Sequence, residues 1–334
     1  MSRLLRHADA APVPVRELTA RSADGARIHV ELYGPEGAPA VVLAHGWTCA
    51  IGFWAAQVRA LAADHRVIVY DQRGHGRSPE PGPDGYSTRA LADDLEAVLA
   101  AALAPGEKAV IAGHSMGGMT VMAAADRPGL REHAVAVLLC STGSSRLVAE
   151  SLVLPMRAGA LRTRLTRAVL GARMPLGPVT PLSRWILKYA TMGAGSAPER
   201  VDACARIVHA CPTRPRAAWG HVLAGLDLDA GVRELRVPTA VIAGRDDRLT
   251  PPVQARAIAA ALPRCLGLTE LTGTGHMTPV EAPEVVTAAI RQLVADHLVA
   301  EVDGAADSAV GVDGEAGADS DAGAAGAVGK EEVA

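Results

Sequence analysis

The stretch Ala109-Val110-Ile111-Ala112-Gly113-His114-Ser115-Met116-Gly117-Gly118 decides the fold. Ala109–Ala112 is an unbroken apolar run, as expected of a parallel strand covered on both faces. Met119–Ala125 reads as a helix. Between them, residues 113–117 spell G-x-S-x-G, the strand-to-helix turn that lifts a serine Oγ into the open. The turn is sharp enough to strain the serine backbone. Gly113 and Gly117 leave room where a β-carbon would collide with the neighbouring strand or helix. The helix begins just after the serine, so its free N–H groups and positive dipole end face the nucleophile. The motif alone also occurs in ordinary glycine-rich turns; its flanks and its downstream partners give it weight.

Outward from this turn, strands and helices alternate. Upstream, Glu17–Thr19 and Ile28–Leu32 read as two strands joined by the Ala23-Asp24-Gly25 turn. Ala40–Ala44 and Val67–Tyr70 follow as strands, each trailing a polar loop: His45-Gly46-Trp47 and Asp71 to Ser78. Residues 54–63 and 88–103 read as helices, the second with Leu91, Leu95, Val98 and Leu99 at helical spacing. Downstream, Val135–Leu139 is one more strand. The alternation then stops. Residues 146–230 carry twelve Arg or Lys against five acids, a balance of +7, and many prolines, and read as short helices without a strand. It resumes with a strand at 238–244, a helix at 252–262, a strand at 266–271 and a helix at 284–298. This order predicts an α/β fold, a mostly parallel sheet flanked by helices, with a helical cap inserted over one end. The expected divisions are core at 1–145, cap at 146–232, core again at 233–300 and an acidic Ala/Gly tail at 301–334. The tail holds nine acids against Lys330 and no aromatic residue, a composition expected to stay disordered.

Composition narrows the function classes. A net charge of −3 gives no reason to expect a nucleic-acid partner. Five cysteines, at 49, 140, 204, 211 and 265, show no metal-ligand spacing and read as free thiols of a reducing compartment. The N-terminus lacks the apolar core of a signal peptide, and no apolar stretch is long enough to span a bilayer. A cytoplasmic location is the expectation, with the oligomeric state left open.

A nucleophilic serine needs a base to take its proton and an acid to orient that base. On this kind of sheet they follow in the order serine, acid, histidine. Gly244-Arg245-Asp246-Asp247 ends one late strand, and Gly273-Thr274-Gly275-His276-Met277 follows the last one. Both fall at carboxyl ends, where a parallel sheet builds its sites.

With these motifs in order, the chain over residues 16–300 resembles α/β-hydrolases with a helical cap, of the esterase, lactonase and haloperoxidase-like type. The resemblance implies Ser115 as nucleophile, Asp247 as acid in preference to Asp246, and His276 as base. It implies an oxyanion hole from the backbone N–H groups of Trp47 and Met116. It implies a small-molecule ester substrate and neither metal nor organic cofactor. The expected activity is ester or lactone hydrolysis through an acyl-serine. Cofactor-free haloperoxidase or perhydrolase chemistry, carbon–carbon bond hydrolysis on the same triad and a hydrolase-fold ligand receptor are the alternatives. His45 is expected to brace the oxyanion turn, and Asp71 and His75 to form a network with Arg73. His29, His65, His133 and His297 are expected at the surface. The cap is expected to wall the pocket with apolar residues, among them Leu154, Leu161, Leu165, Trp185, Ile186 and Trp219.

Overall fold

The computed structural model describes residues 13–82 and 84–299; the expectation for the tail lies outside them. Eight strands form one sheet: β1 (Arg16–Arg21), β2 (Arg27–Tyr33), β3 (Ala40–Ala44), β4 (Arg66–Tyr70), β5 (Ala109–His114), β6 (Ala134–Cys140), β7 (Thr239–Gly244) and β8 (Cys265–Leu271). Their order is β1-β2-β4-β3-β5-β6-β7-β8. The β1–β2 and β2–β4 pairs are antiparallel and the rest are parallel. The order reverses direction between β3 and β5, and a crevice opens at such a switch point beyond the carboxyl ends. Ala44 pairs with Gly113 there, so the loops leaving β3 and β5 start side by side.

Alternating side chains of β3 explain the two-sided core. Ala40, Val42 and Ala44 join the cluster under α2 (Thr88–Ala102) and α3 (Met116–Ala123), together with Leu91, Leu95 and Met119. Val41 and Leu43 join the opposite cluster under α1 (Ala55–Leu61) and a C-terminal helix over Pro283–Val294, together with Leu61, Val286 and Ile290. Every residue of β3, β5 and β6 is buried. β8 is the far edge strand and is largely exposed, Cys265 included; the other four cysteines are buried, and all five are free thiols. Short α4 (Pro128–His133) has no counterpart in the sequence reading, because six residues are too few for an apolar repeat.

Six helices separate β6 from β7: α5 (Leu147–Glu150), α6 (Ala160–Leu170), α7 (Pro181–Thr191), α8 (Pro198–Ala210), α9 (Thr213–Ala224) and α10 (Asp229–Glu234). The chain leaves and re-enters the core at one neck. Ser145 and Asp227 form an isolated antiparallel bridge, Leu228 N donates to Ser144 O at 2.8 Å, and both serine hydroxyls donate to the Asp229 carboxylate. Downstream lie α11 (Pro252–Ala261), α12 (Thr278–Glu281) and α13 (Pro283–Val294). No helix among the described residues is long and apolar enough to cross a membrane.

Three histidines expected at the surface are buried: His29 at 8%, His65 at 7% and His133 at 5% exposure. Each ring has a local acceptor that compensates for lost water: Glu31, Asp64 and the Glu107 carbonyl respectively.

Candidate active site

Ser115 has φ 51° and ψ −116°, a backbone state that costs an L-residue about 1–3 kcal/mol. The surrounding glycines permit it. A β-carbon on Gly113 would stand 2.5 Å from the Gly117 carbonyl carbon, and one on Gly117 would stand 2.0 Å from Ala44 O. Ser115 N donates to Cys140 O, and Thr142 Oγ1 donates to Ser115 O at 2.8 Å, so the turn is bolted to the end of β6. Four non-glycine residues among those described have positive φ: Thr48, Ser115, Ser141 and Arg146. The first three follow β3, β5 and β6, so the backbone strain gathers around the crevice.

The loop after β4 braces the loop after β3. Gln72 N donates to His45 Nε2 at 3.0 Å, and the Gln72 amide also donates to His45 O. Thr48 N donates to His75 Nε2 at 3.2 Å. The Asp71 carboxylate accepts from Ile51 N and Arg77 N, both at 2.8 Å. Burial holds His45 down at about 4 and, with His45 beside it, His75 at about 3, so both rings are neutral acceptors near neutral pH. Burial pushes the Asp71 carboxyl up. The Arg73 guanidinium turns away from Asp71 and pairs with Asp94 and Asp24, while His75 Nδ1 donates to Arg73 O at 3.2 Å, so the expected network joins His75 to the Arg73 backbone and not Asp71 to its charge. The outcome is a rigid turn whose Trp47 N–H, like the Met116 N–H at the start of α3, donates to no group among the described residues.

His276 Nδ1 lies 2.8 Å from Asp247 Oδ2. Asp247 is 2% exposed and Asp246 is exposed, so of the two adjacent carboxylates only Asp247 meets the histidine. Asp247 Oδ1 accepts from Leu249 N and Thr250 N, and Oδ2 accepts from Thr250 Oγ1 at 2.8 Å. His276 is held by its backbone as well. His276 N donates to Thr191 O of α7 at 2.7 Å, and His114 Nε2 donates to His276 O at 2.9 Å. Glu281 accepts from Gly275 N and Met277 N on either side of it, and from Gly193 N and Ser196 Oγ of the cap. Thr250, Glu281 and the coupling through His114 were absent from the sequence reading. A threonine three residues past an acid, or a glutamate five past a histidine, carries no signal until the loop is folded.

Ser115 and His276 line one cavity of about 370 Å³, together with Trp47 and Thr250. Its other walls are mostly aliphatic: Met119 from α3, Leu154, Val169 and Leu170 from the cap's first half, and Leu187 and Val208 from α7 and α8. Among the cap residues expected here, only Leu154 lines it. Trp219 is fully buried and donates Nε1 to Arg73 O, which docks α9 on the loop after β4. Leu161, Leu165, Trp185 and Ile186 point outward, at 41–65% exposure. Helical spacing identified their helices without the phase, because α6 and α7 are apolar on more than one side.

The chain matches the profile of the alpha/beta hydrolase family over residues 41–289. It is 33% identical over 233 residues to a protein of Variovorax paradoxus named "Putative carbamate hydrolase RutD", covering 67% of this chain and 80% of that one. The same name is given to a protein of Stutzerimonas stutzeri that is 29% identical over 274 residues, 81% of this chain and 96% of that one. Among solved structures, an esterase from Thermogutta terrifontis superposes with a TM-score of 0.68 at 25% identity, covering 84% of this chain and 98% of its own. The chain is a member of the alpha/beta hydrolase family.

Proposed function

We propose that this protein is a serine hydrolase that cleaves carboxylic esters, open-chain or lactone, through an acyl-Ser115 intermediate. The observation that carries the reading is the buried Asp247–His276 pair opening on the same cavity as Ser115 at φ 51°. In this mechanism Ser115 Oγ attacks the carbonyl carbon while His276 Nε2 takes its proton. Asp247 fixes the ring through Nδ1 and stabilises the imidazolium. The Trp47 and Met116 N–H groups stabilise the oxyanion, each worth roughly 3 kcal/mol. The tetrahedral adduct collapses, the C–O bond to the alcohol breaks, and the alcohol leaves with the proton from His276. Water then attacks the acyl carbon, giving its proton to His276, and Ser115 Oγ leaves with that proton as the acid is released. The aliphatic cavity favours an acyl or alcohol group of several carbons.

A carbamate is the second reading, supported by the relatives named above. The same groups would attack a carbonyl carrying nitrogen in place of an acyl carbon.

The test is a panel of p-nitrophenyl esters of rising chain length beside a p-nitrophenyl carbamate and lactones, with wild type and Ser115→Ala. We expect ester turnover in wild type, none in the variant, and fluorophosphonate labelling at Ser115 alone. Labelling elsewhere, or undiminished activity in Ser115→Ala, rejects the mechanism. Faster turnover of carbamates than of every ester selects the second reading.

A further inference from the structure

The cavity that holds Ser115 also holds one charged side chain outside the triad, Arg216 on α9, and no carboxylate lines its wall. Arg216 is 7% exposed. Of the three buried arginines among the described residues, Arg73 has acidic partners in Asp94 and Asp24, and Arg162, outside this cavity, gives its donors to the Ala149 and Met156 carbonyls with no acidic partner. Arg216 has none among the described residues. Its one side-chain hydrogen bond runs from Nη2 to the Met174 carbonyl. A guanidinium offers five N–H donors in a planar fork that fits a carboxylate, and burying that charge without a counter-ion costs several kcal/mol.

The position of Arg216 gives the charge a purpose. The Arg216 backbone is tied to the catalytic end, because Trp47 Nε1 donates to Arg216 O at 3.0 Å. The guanidinium reaches from there to Met174, which lines the cavity yet is 73% exposed and so marks its rim. An anion at that position keeps part of its hydration, which reduces the cost of pairing.

We propose that Arg216 binds a carboxylate on the substrate, so that the preferred substrate is an ester or lactone carrying a free acid a few carbons from the reacting carbonyl. This rests on the hydrolase reading above and names its substrate class. The aliphatic walls hold the chain, the carboxylate fixes its far end, and the reacting carbonyl is set against Ser115.

The experiment compares mono-p-nitrophenyl esters of succinic, glutaric and adipic acid with their methyl-capped neutral counterparts. The readout is the ratio of kcat/KM, acid over capped ester. In wild type that ratio exceeds one for at least one chain length. Arg216→Met lowers it by about 30-fold or more, as expected for removing one partner of a largely desolvated charge pair. Arg216→Lys, which keeps the charge and loses the fork, restores part of it. Fluorophosphonate labelling of Ser115 reports that each variant is folded. A wild-type ratio at or below one for every acid, or a fall of acid and capped esters in parallel in Arg216→Met, overturns the proposal and leaves ester hydrolysis standing. If no ester is turned over, the hydrolase reading fails. Binding of glutaric acid monomethyl ester to Ser115→Ala by calorimetry then decides: binding lost on adding Arg216→Met supports the anion site, and equal or absent binding rejects it.

Discussion

At the scale of single residues, two adjacent carboxylates sit in different surroundings. Asp247 is buried against His276, with Leu249 N, Thr250 N and Thr250 Oγ1 also donating to it. Asp246 is exposed, and its N–H is spent on Thr274 O. Asp247→Asn should lower kcat by about 10⁴-fold, because an amide cannot stabilise the imidazolium and favours the wrong tautomer. Asp246→Asn should change kcat by no more than about threefold. Steady-state kinetics of the pair check this, and the reverse ranking would give the acid's role to Asp246. Thr250 makes a finer case. Thr250→Val keeps the shape and removes the hydroxyl that Asp247 shares, so Asp247 loses one of the donors that fix its rotamer. A fall in kcat of about fivefold with KM little changed is expected. A loss in melting temperature with kcat unchanged would make Thr250 a packing residue only.

At the scale of elements, the loops after β3 and β4 lock through neutral histidines, and that makes the lock sensitive to pH. In the unfolded chain His45 and His75 take up protons near 6.5; folded, they refuse them until about 4 and about 3. The unfolded state therefore binds more protons between those values, so stability is full above about pH 6.5 and falls as pH drops below it. The slope is up to about 1.4 kcal/mol per pH unit for each residue. Buried His114, also held well below its ordinary value by burial, adds in the same direction. Asp71 works oppositely: its raised value means the folded state binds more protons than the unfolded one in the range above 3.8. Urea unfolding midpoints should drop between pH 7 and pH 5, and less steeply in His75→Gln. A midpoint flat across that range, or a slope equal in the variant, would contradict the neutral-histidine lock. Glu281 ties another pair of elements, the His276 loop and the cap after α7. Glu281→Ala strands these donors and should destabilise the fold by about 2–4 kcal/mol in denaturant titrations; a loss under about 0.5 kcal/mol would mean that water replaces it at no cost.

The elements also mark where sequence reading succeeds. β3 to β7 are legible because strands buried on both faces must be apolar throughout. The meeting of Asp247 with His276 is legible because the chain order of loops on such a sheet is fixed. The cap is different. Its helices are recognisable one by one, yet which side of α6 or α7 faces the cavity depends on how α6 packs on α9 and α7 on α8. Leu161 and Trp185 therefore face outward while Leu170 and Leu187 line the wall. The braces His75–Thr48, Thr250–Asp247 and Glu281–Gly275 join residues from different loops or backbone donors that side-chain patterns do not encode.

At the scale of the whole molecule, charge is divided along the chain in a way that the net value of −3 conceals. Residues 301–334 contribute −8, so the rest of the chain carries +5, and the 146–230 segment alone carries +7. The tail lies outside the described residues, and its Ala, Gly, Asp and Glu composition offers little apolar area to bury against the core. Removal of residues 301–334 should therefore leave the melting temperature within about 2 °C. Its electrostatic effect is separate. A segment of −8 tethered to the core repels an anionic substrate and offsets the attraction of a body of +5. Deleting it should raise kcat/KM for a mono-p-nitrophenyl ester of glutaric acid at low ionic strength, by about twofold to tenfold, through faster encounter. The neutral methyl-capped ester should not respond. At 1 M salt, where screening acts within about 3 Å, the difference between full-length and shortened protein should vanish. The comparison needs eight rate measurements, two proteins with two substrates at two salt concentrations, and a melting curve of each protein, and it separates three outcomes. A gain confined to the acid ester at low salt supports long-range repulsion. A gain for both esters at both salt concentrations would mean that the tail obstructs the cavity physically. A large fall in melting temperature would mean that the tail packs on the body, against what its composition predicts.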